Sequence, residues 1–479
     1  MFFPMLKGTR LQRVTETKLP GLDRRESAAT PGFREMENLC SEGYPALRTR
    51  PGRGLVETLK KPNGLLAKDA LLWVDGKHLY MNGLEVGPEL TDGEKSLVSM
   101  GAYAVVFPDK VYVNTQDVTD CGSLECERTA PAGSGLALCD ETGTAYSGVT
   151  ESAGAPEEPR EGALWLDLSG TEPVLRQYSR EVWTALEGVC VKVQATGIGT
   201  GFAAGDGVEV SGCSVAWLNG ETVLQAADTD WLAFPGTVAG GAVTETAMKL
   251  RRFVPEMDYV VQSGNRLWGC KYGMVDGKPV NEIYASKLGD CKNWRCFAGL
   301  ATDSYAAARG SDGVFTGAVS YLGNPIFFKE RCMERVYASG SGAHQIVTTE
   351  CSGVQKGSAR SLQVVGGVLY YLSGDGVQAF DGSLPVTVSQ ALGERRYSAG
   401  VGGAWREKYY LSALDEDGAA SLLVYDSERK LWHREDELRA EGFACKGGEL
   451  YCLSAEGKLL SMHGESGEKE TGFTWLAET

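Results

Sequence analysis

Ser361-Leu362-Gln363-Val364-Val365-Gly366-Gly367-Val368-Leu369-Tyr370-Tyr371 runs on into Gly374-Asp375-Gly376 and Val377-Gln378-Ala379-Phe380. Three short runs of β-branched, aliphatic and aromatic residues are divided by glycine-bearing turns, which is how strands joined by tight hairpins are written. The same grammar recurs from Ser398 through Trp405, Lys408-Tyr409-Tyr410-Leu411, Leu422-Leu423-Val424-Tyr425-Asp426 and Leu431-Trp432. It recurs again in Gly442-Phe443-Ala444-Cys445, Gly447-Gly448, Leu450-Tyr451-Cys452-Leu453 and Leu459-Leu460-Ser461-Met462. Upstream it is legible in Ala70–Val74 with His78–Met81, in Ala102–Phe107 with Val111–Val113, and in Asp258–Val261 with Arg266–Gly269.

The last three units start near residues 362, 399 and 443, a spacing of about 40 residues. One thin twisted sheet cannot hide both faces, but sheets set side by side hide each other's. The expected fold is all-β, an approximately seven-bladed β-propeller with an inserted small β-domain. Its blades would lie near 65–93, from 96–114 onward, and at 253–299, 303–350, 358–394, 396–439 and 441–475. Two β-sandwiches in series are the alternative, since they use the same strands and turns. The division expected is an extended N-terminal arm at 1–62, first blades at 63–117, an inserted β-rich domain at 118–250 and the remaining blades at 251–479. The insert breaks the rhythm with Pro156-Glu157-Glu158-Pro159 and longer polar connections, and insertions between repeats tend to meet partners. The terminal pattern Phe473-Thr474-Trp475-Leu476-Ala477 reads as a strand that either pairs with N-terminal material or precedes further chain.

Composition narrows the function. Glycine is 62 of 479 residues, about 13% against a usual ~7%, and serves turns rather than a collagen period. A formal charge of −16 argues against a protein whose main task is coating nucleic acid. No apolar run is long enough for a transmembrane helix, and no signal peptide is readable at MFFPMLKG. Thirteen scattered cysteines without a secretion signal read as free thiols from a reducing compartment.

Chemistry is sparse. His78, His344, His433 and His463 show no metal-ligand spacing, and Cys121/Cys126, Cys291/Cys296 and Cys445/Cys452 lack zinc-knuckle spacing. No nucleophile elbow, zincin, phosphate-loop or dinucleotide motif is present. Asp69, Asp258, Asp303 and Asp375 are conceivable paired carboxylates, but turn capping accounts for them better. Trp73, Trp268, Trp294, Trp405 and Trp432 are expected to pack between sheets, and only exposure in a cleft would point to sugar stacking. The expectation is a non-enzymatic protein with no catalytic residue, no metal and no cofactor. Arg48, Arg50 and Arg53 are candidates for pairing with an acidic partner through forked guanidinium donors, and Lys329 and Glu330 for orienting a sheet edge.

Tyr44-Pro45-Ala46-Leu47-Arg48-Thr49-Arg50-Pro51, Asn265-Arg266-Leu267-Trp268, Ile283-Tyr284-Ala285-Ser286, Phe327-Phe328-Lys329-Glu330 and Leu423-Val424-Tyr425-Asp426 with Trp432 carry a resemblance. Over about 40–114 and 251–479 the chain resembles the propeller-bearing structural proteins of tailed bacteriophages and prophages, the head-completion or stabilization and tail-nozzle families. The resemblance implies a virion part synthesised in bacterial cytoplasm. It implies a homo-oligomer forming a ring at the head–tail junction or tail as connector, stopper or nozzle. Portal, adaptor or tail proteins would be its partners, and DNA would pass without sequence-specific binding. Two other classes stand beside it: a glycan-binding or glycan-cleaving propeller, and a scaffold that binds peptides.

Overall fold

The computed structural model describes residues 18, 20–25, 32–46, 48–239, 246–338 and 343–479. The first 17 residues of the expected arm and Leu47 of the Tyr44–Pro51 word lie outside the described residues. The described chain is all-β, with a few short 3₁₀ turns. Four-stranded sheets, each with its strands in sequence order, occupy 62–86, 96–123, 259–308, 317–350, 363–387 and 398–434. A further sheet takes three strands from 440–461 and adds Gly54–Thr58 and Glu468–Lys469. Among the described residues no helix is long and apolar enough to cross a membrane.

Local sequence explains the hairpins. Val365 pairs with Val368 across Gly366-Gly367, at φ 56° and 79°, and Met81 pairs with Leu84 across Asn82-Gly83, at φ 49° and 88°. Both are two-residue turns with two left-handed residues, whose twist matches the flanking strands. Alternation along each strand then sends large apolar side chains to both faces, and the cores lie between neighbouring sheets. Leu72 and Val74 meet Ala104 and Val106, and Phe107 meets Leu267 and Trp294. Trp268 meets Phe327, and the Phe328 ring lies tilted against Tyr371 at 5.0 Å. Tyr370 stacks at 5.4 Å from Tyr409, Tyr410 packs with Cys452, and Trp73 with Leu453 joins the 440–461 sheet to the 62–86 sheet. Each such side chain stabilises by ~1.5–3 kcal/mol when fully buried.

These sheets are open: each retains edge strands, and none closes into a barrel or curls into a propeller blade. The expected approximately seven-bladed β-propeller is corrected to an all-β chain of separate, mostly four-stranded antiparallel sheets. Glycine turns dictate hairpins and register, which are local. How a sheet curls and what it closes against depends on side chains distant in sequence, and a spacing of about 40 residues is silent on that.

Residues 126–252 form a separate unit of three sheets with a core of their own, including Leu138, Val191, Val208, Leu232, Phe234 and Leu250. Its 149–185 sheet contains a parallel pair, Val149–Ser152 with Leu164–Asp167. Segments at the two ends of the chain pair with each other. Glu35–Glu37 runs antiparallel to Leu476–Glu478, Gly54–Thr58 pairs with Lys458–Ser461, and Leu22, Met36 and Leu39 are buried against the 363–434 sheets.

Candidate functional site

Within the 126–252 unit, strands Leu164–Asp167, Val174–Ser179 and Val182–Ala185 lie side by side in one sheet. Leu166 opposite Leu175 faces the unit's core. The other face carries Trp165 opposite Arg176, which is itself opposite Ala185, and Tyr178 opposite Trp183. The hairpin that sets this register turns at Arg180 and Glu181, with φ 53° and 67°. Trp165 and Trp183 meet edge-on at 5.4 Å, Tyr178 lies 5.2 Å from Trp183, and the Arg176 guanidinium sits 5.9 Å from the Trp165 ring. Ser169 donates its hydroxyl to Asp167, and its backbone N–H also donates; with Arg176 at 2.9 Å, the carboxyl is held below the usual carboxylate range. Val182–Ala185 is an edge strand, with Trp183 half-buried and Val182 58% exposed, whereas Trp165 is buried and its indole N–H donates to the Ser152 carbonyl at 3.0 Å. Side by side, then, lie two indoles, a phenol, a guanidinium and an unpaired sheet edge.

The unit is fixed to the rest of the chain by buried polar contacts. Arg252, at the end of the unit, donates to the Leu124 carbonyl outside it at 3.1 Å and is held from within by Asp206 at 2.5 Å and the Gly201 carbonyl at 2.9 Å. Burial raises the Asp206 carboxyl above its ordinary range, although Arg252 pulls the other way. Asn293 accepts from the Gly207 N–H at 3.1 Å and donates to the Gly205 carbonyl at 2.8 Å, which Lys287 also reaches at 3.0 Å. With these donors and acceptors matched out of water, the face is presented at a set angle.

The residues singled out by sequence are dispersed. Arg48 is exposed. Arg50 and Arg53 are buried, and the acids they pair with belong to the same chain. Arg50 bonds Glu470 at 2.8 Å and the Asn38 side chain at 2.7 Å, and Arg53 bonds Asp436 at 2.6 Å and Glu435 at 2.9 Å. Lys329 is buried too, donating to the Ser311 carbonyl at 2.8 Å and lying 4.5 Å from the Phe315 ring; burial lowers its ammonium below the usual lysine range. Glu330 is exposed.

His463 is the histidine best placed for chemistry. Its ring stacks on Trp405 at 3.7 Å, its Nδ1 is 3.3 Å from Glu449, and its Nε2 is 3.4 Å from the Tyr410 hydroxyl. Glu449 is occupied by the Ser461 hydroxyl at 2.6 Å and the His463 N–H at 2.8 Å. Arg406 covers Trp405 at 4.2 Å and, with Lys446 and Ser466, lines a cleft of about 500 Å³. Both ring nitrogens thus face groups of the chain, and burial lowers the imidazole's pKa. His78 is exposed beside Glu85, His344 packs edge-on against Trp268 and Tyr305, and His433 is wholly buried. Asp69, Asp258 and Asp375 bind Thr115, Lys271 and Ser352, while Asp303 accepts from the Leu300 N–H. Each belongs to its own local turn or strand end. Among the described residues no three His, Cys, Asp or Glu side chains converge as a metal site.

The sequence reading singled out neither Trp183 nor Tyr178. The signal was there in Tyr178-Ser179-Arg180-Glu181-Val182-Trp183, aromatics at equal distance from a two-residue turn, which places them opposite each other on one face.

No family model matches the chain, and no curated protein matches it. Among solved structures it is similar to apo AztD from Citrobacter koseri, at 9% identity and TM-score 0.31 over 83% of this chain and 89% of that one. It is also similar to BamB from Moraxella catarrhalis, at 11% identity and TM-score 0.23 over 70% and 92%. A third similarity is to the phage phi92 endosialidase, at 10% identity and TM-score 0.18 over 88% and 57%. Similarities this slight carry neither fold nor function. The resemblance to tailed-phage propeller proteins is corrected by the fold itself, because the sheets are open. With it goes the virion connector, stopper or nozzle, which required a ring enclosing a DNA channel. The word-matches that carried the resemblance are strand and turn segments such as Ile283–Ala285 and Phe327–Phe328, whose apolar character serves inter-sheet packing in any stacked-sheet protein.

Proposed function

We propose that the chain is a non-enzymatic structural protein that self-associates through the outer face of the 149–185 sheet. The observation that carries this reading is the half-buried group Trp183, Tyr178 and Arg176, backed by the buried Trp165, beside the free edge Val182–Ala185 on a unit with its own core. Trp, Tyr and Arg are the residues that dominate binding energy at protein interfaces, because each offers a large rigid surface with a polar end. Two-fold dimers are the commonest closed oligomers of soluble proteins, so a second copy is the occupant proposed for this face.

Light scattering coupled to gel filtration tests the proposal. The expected mass is a multiple of 51.4 kDa, falling to 51.4 kDa in Trp183→Ala and Tyr178→Ala with the β-sheet circular dichroism unchanged. A wild-type protein that runs as a monomer at tens of micromolar, or folded variants that keep the oligomer, would refute it.

A further inference from the structure

Cys139 and Cys190 stand directly opposite each other on the antiparallel strands Gly135–Cys139 and Cys190–Gln194. Opposite residues in such a ladder have Cα atoms about 4.5–5.5 Å apart with side chains on one face, within the ~4.4–6.8 Å that a disulfide spans. In the strand registers of the described residues, no other two cysteines are partners. Both thiols point away from the unit's main core, which takes Leu136, Leu138, Val191 and Val193 from the same strands. They share a small satellite cluster with Ala233, beside Trp231.

The cover over that cluster is one turn thick. It is the 140–144 turn, in which Asp140 accepts from the Thr142 hydroxyl at 2.7 Å and from the Thr142 and Thr144 N–H groups at 2.9 Å. Lys192 pins it by donating to the Gly143 carbonyl at 3.0 Å while lying 4.3 Å from the Trp231 ring. Cys139 and Cys190 are 0% and 1% exposed beneath it. Burial, together with the neighbouring thiol, pushes Cys139 up to about 12, so the closed pair is unreactive and exchange needs the turn to lift.

We propose that Cys139 and Cys190 are a dithiol–disulfide pair whose oxidation closes the 140–189 segment, with the whole 149–185 sheet, into a covalent loop. With a small-molecule disulfide such as oxidised glutathione as oxidant, one cysteine thiolate attacks a glutathione sulfur and expels one glutathione thiolate. The second cysteine thiolate then attacks the protein sulfur of the mixed disulfide and expels the other. Two electrons pass from the protein dithiol to glutathione, and the two Sγ protons end on the two released thiols. The inference does not depend on whether the aromatic face binds another copy.

The test uses the full chain, incubated with oxidised glutathione, blocked with iodoacetamide, digested with trypsin and read by mass spectrometry without reduction. The exposed Cys445 reports that the oxidant has acted. A peptide linked through Cys139 and Cys190, lost on reduction, is expected, together with a glutathione adduct retained on Cys190 in Cys139→Ser. A second readout is limited trypsin cleavage at the exposed Arg180, after which the fragments stay joined on a non-reducing denaturing gel only if the link has formed. Both cysteines alkylated after Cys445 has been modified, or either one joined to a different cysteine, would overturn the proposal.

Discussion

His433 gives the sharpest physical test of this packing. It lies in Leu431–Arg434, opposite Val424, fully buried, and neither ring nitrogen has a hydrogen-bond partner. Burial, with Lys408 nearby and only partly offset by Asp426, lowers its pKa from 6.5 to about 3. The folded protein therefore keeps the ring neutral while the unfolded chain takes up a proton as pH falls below 6.5. Folding stability then falls with pH, by roughly 1.4 kcal/mol per unit once well below 6.5, until the folded-state pKa is reached. At pH 4.5 the loss from this side chain alone is about 3 kcal/mol. The assay is guanidinium unfolding of wild type and His433→Leu across pH 7 to 4.5, followed by the fluorescence of buried tryptophans such as Trp432. Leucine removes two unpaired polar atoms as well as the titration, so at pH 7 the variant should lose little. Below pH 6 its stability should fall less steeply than wild type by about 1.4 kcal/mol per unit. Parallel pH profiles would mean that the imidazole is not held neutral in the fold.

Other substitutions follow from the same contacts. Arg53→Met leaves Glu435 buried without its partner and should cost about 3–5 kcal/mol, with Arg53→Met/Glu435→Gln recovering part of that in the same unfolding assay. Gly207→Ala places a methyl against the Arg295 backbone, where the chains touch at the joint of the 126–252 unit; it should destabilise by about 1–3 kcal/mol and lower the melting temperature. Leu55→Pro removes an N–H and misfits the strand that pairs with both Lys458–Ser461 and Glu468–Lys469. Hydrogen exchange at those two partners should accelerate, while the 259–308 sheet keeps its protection.

Turn chemistry was written plainly in the sequence. Gly366-Gly367 and Asn82-Gly83 are hairpin turns because few other residues accept their backbone angles, and strands such as Ser398–Trp405 and His78–Met81 follow from the residues around them. Which sheet packs on which was not legible, since it depends on pairs such as Trp73 with Leu453, far apart in sequence. The same distance hid the role of Arg50 and Arg53. Their charge suggested an external acidic partner, but Glu435, Asp436 and Glu470 lie close only after folding. Lys329 stands beside Glu330 in sequence, yet just past the end of Asn324–Phe328 it turns in to the Ser311 carbonyl and the Phe315 ring. The aromatic face was readable in principle from the symmetry of Tyr178 and Trp183 about their turn, a signal masked by the irregular connections around it.

The pairing of Thr58 with Lys458 sets a delay on biosynthesis. About 400 residues must be translated between the two strands, which at 5–20 residues per second takes on the order of 20–80 s. For that interval the early strand has emerged from the ribosome while its neighbour does not yet exist, and its backbone groups are open to any passing sheet edge. A newborn chain of this kind should lean on chaperones until Lys458–Ser461 has been made, and a premature stop before Lys458 should leave Gly54–Thr58 without its neighbour.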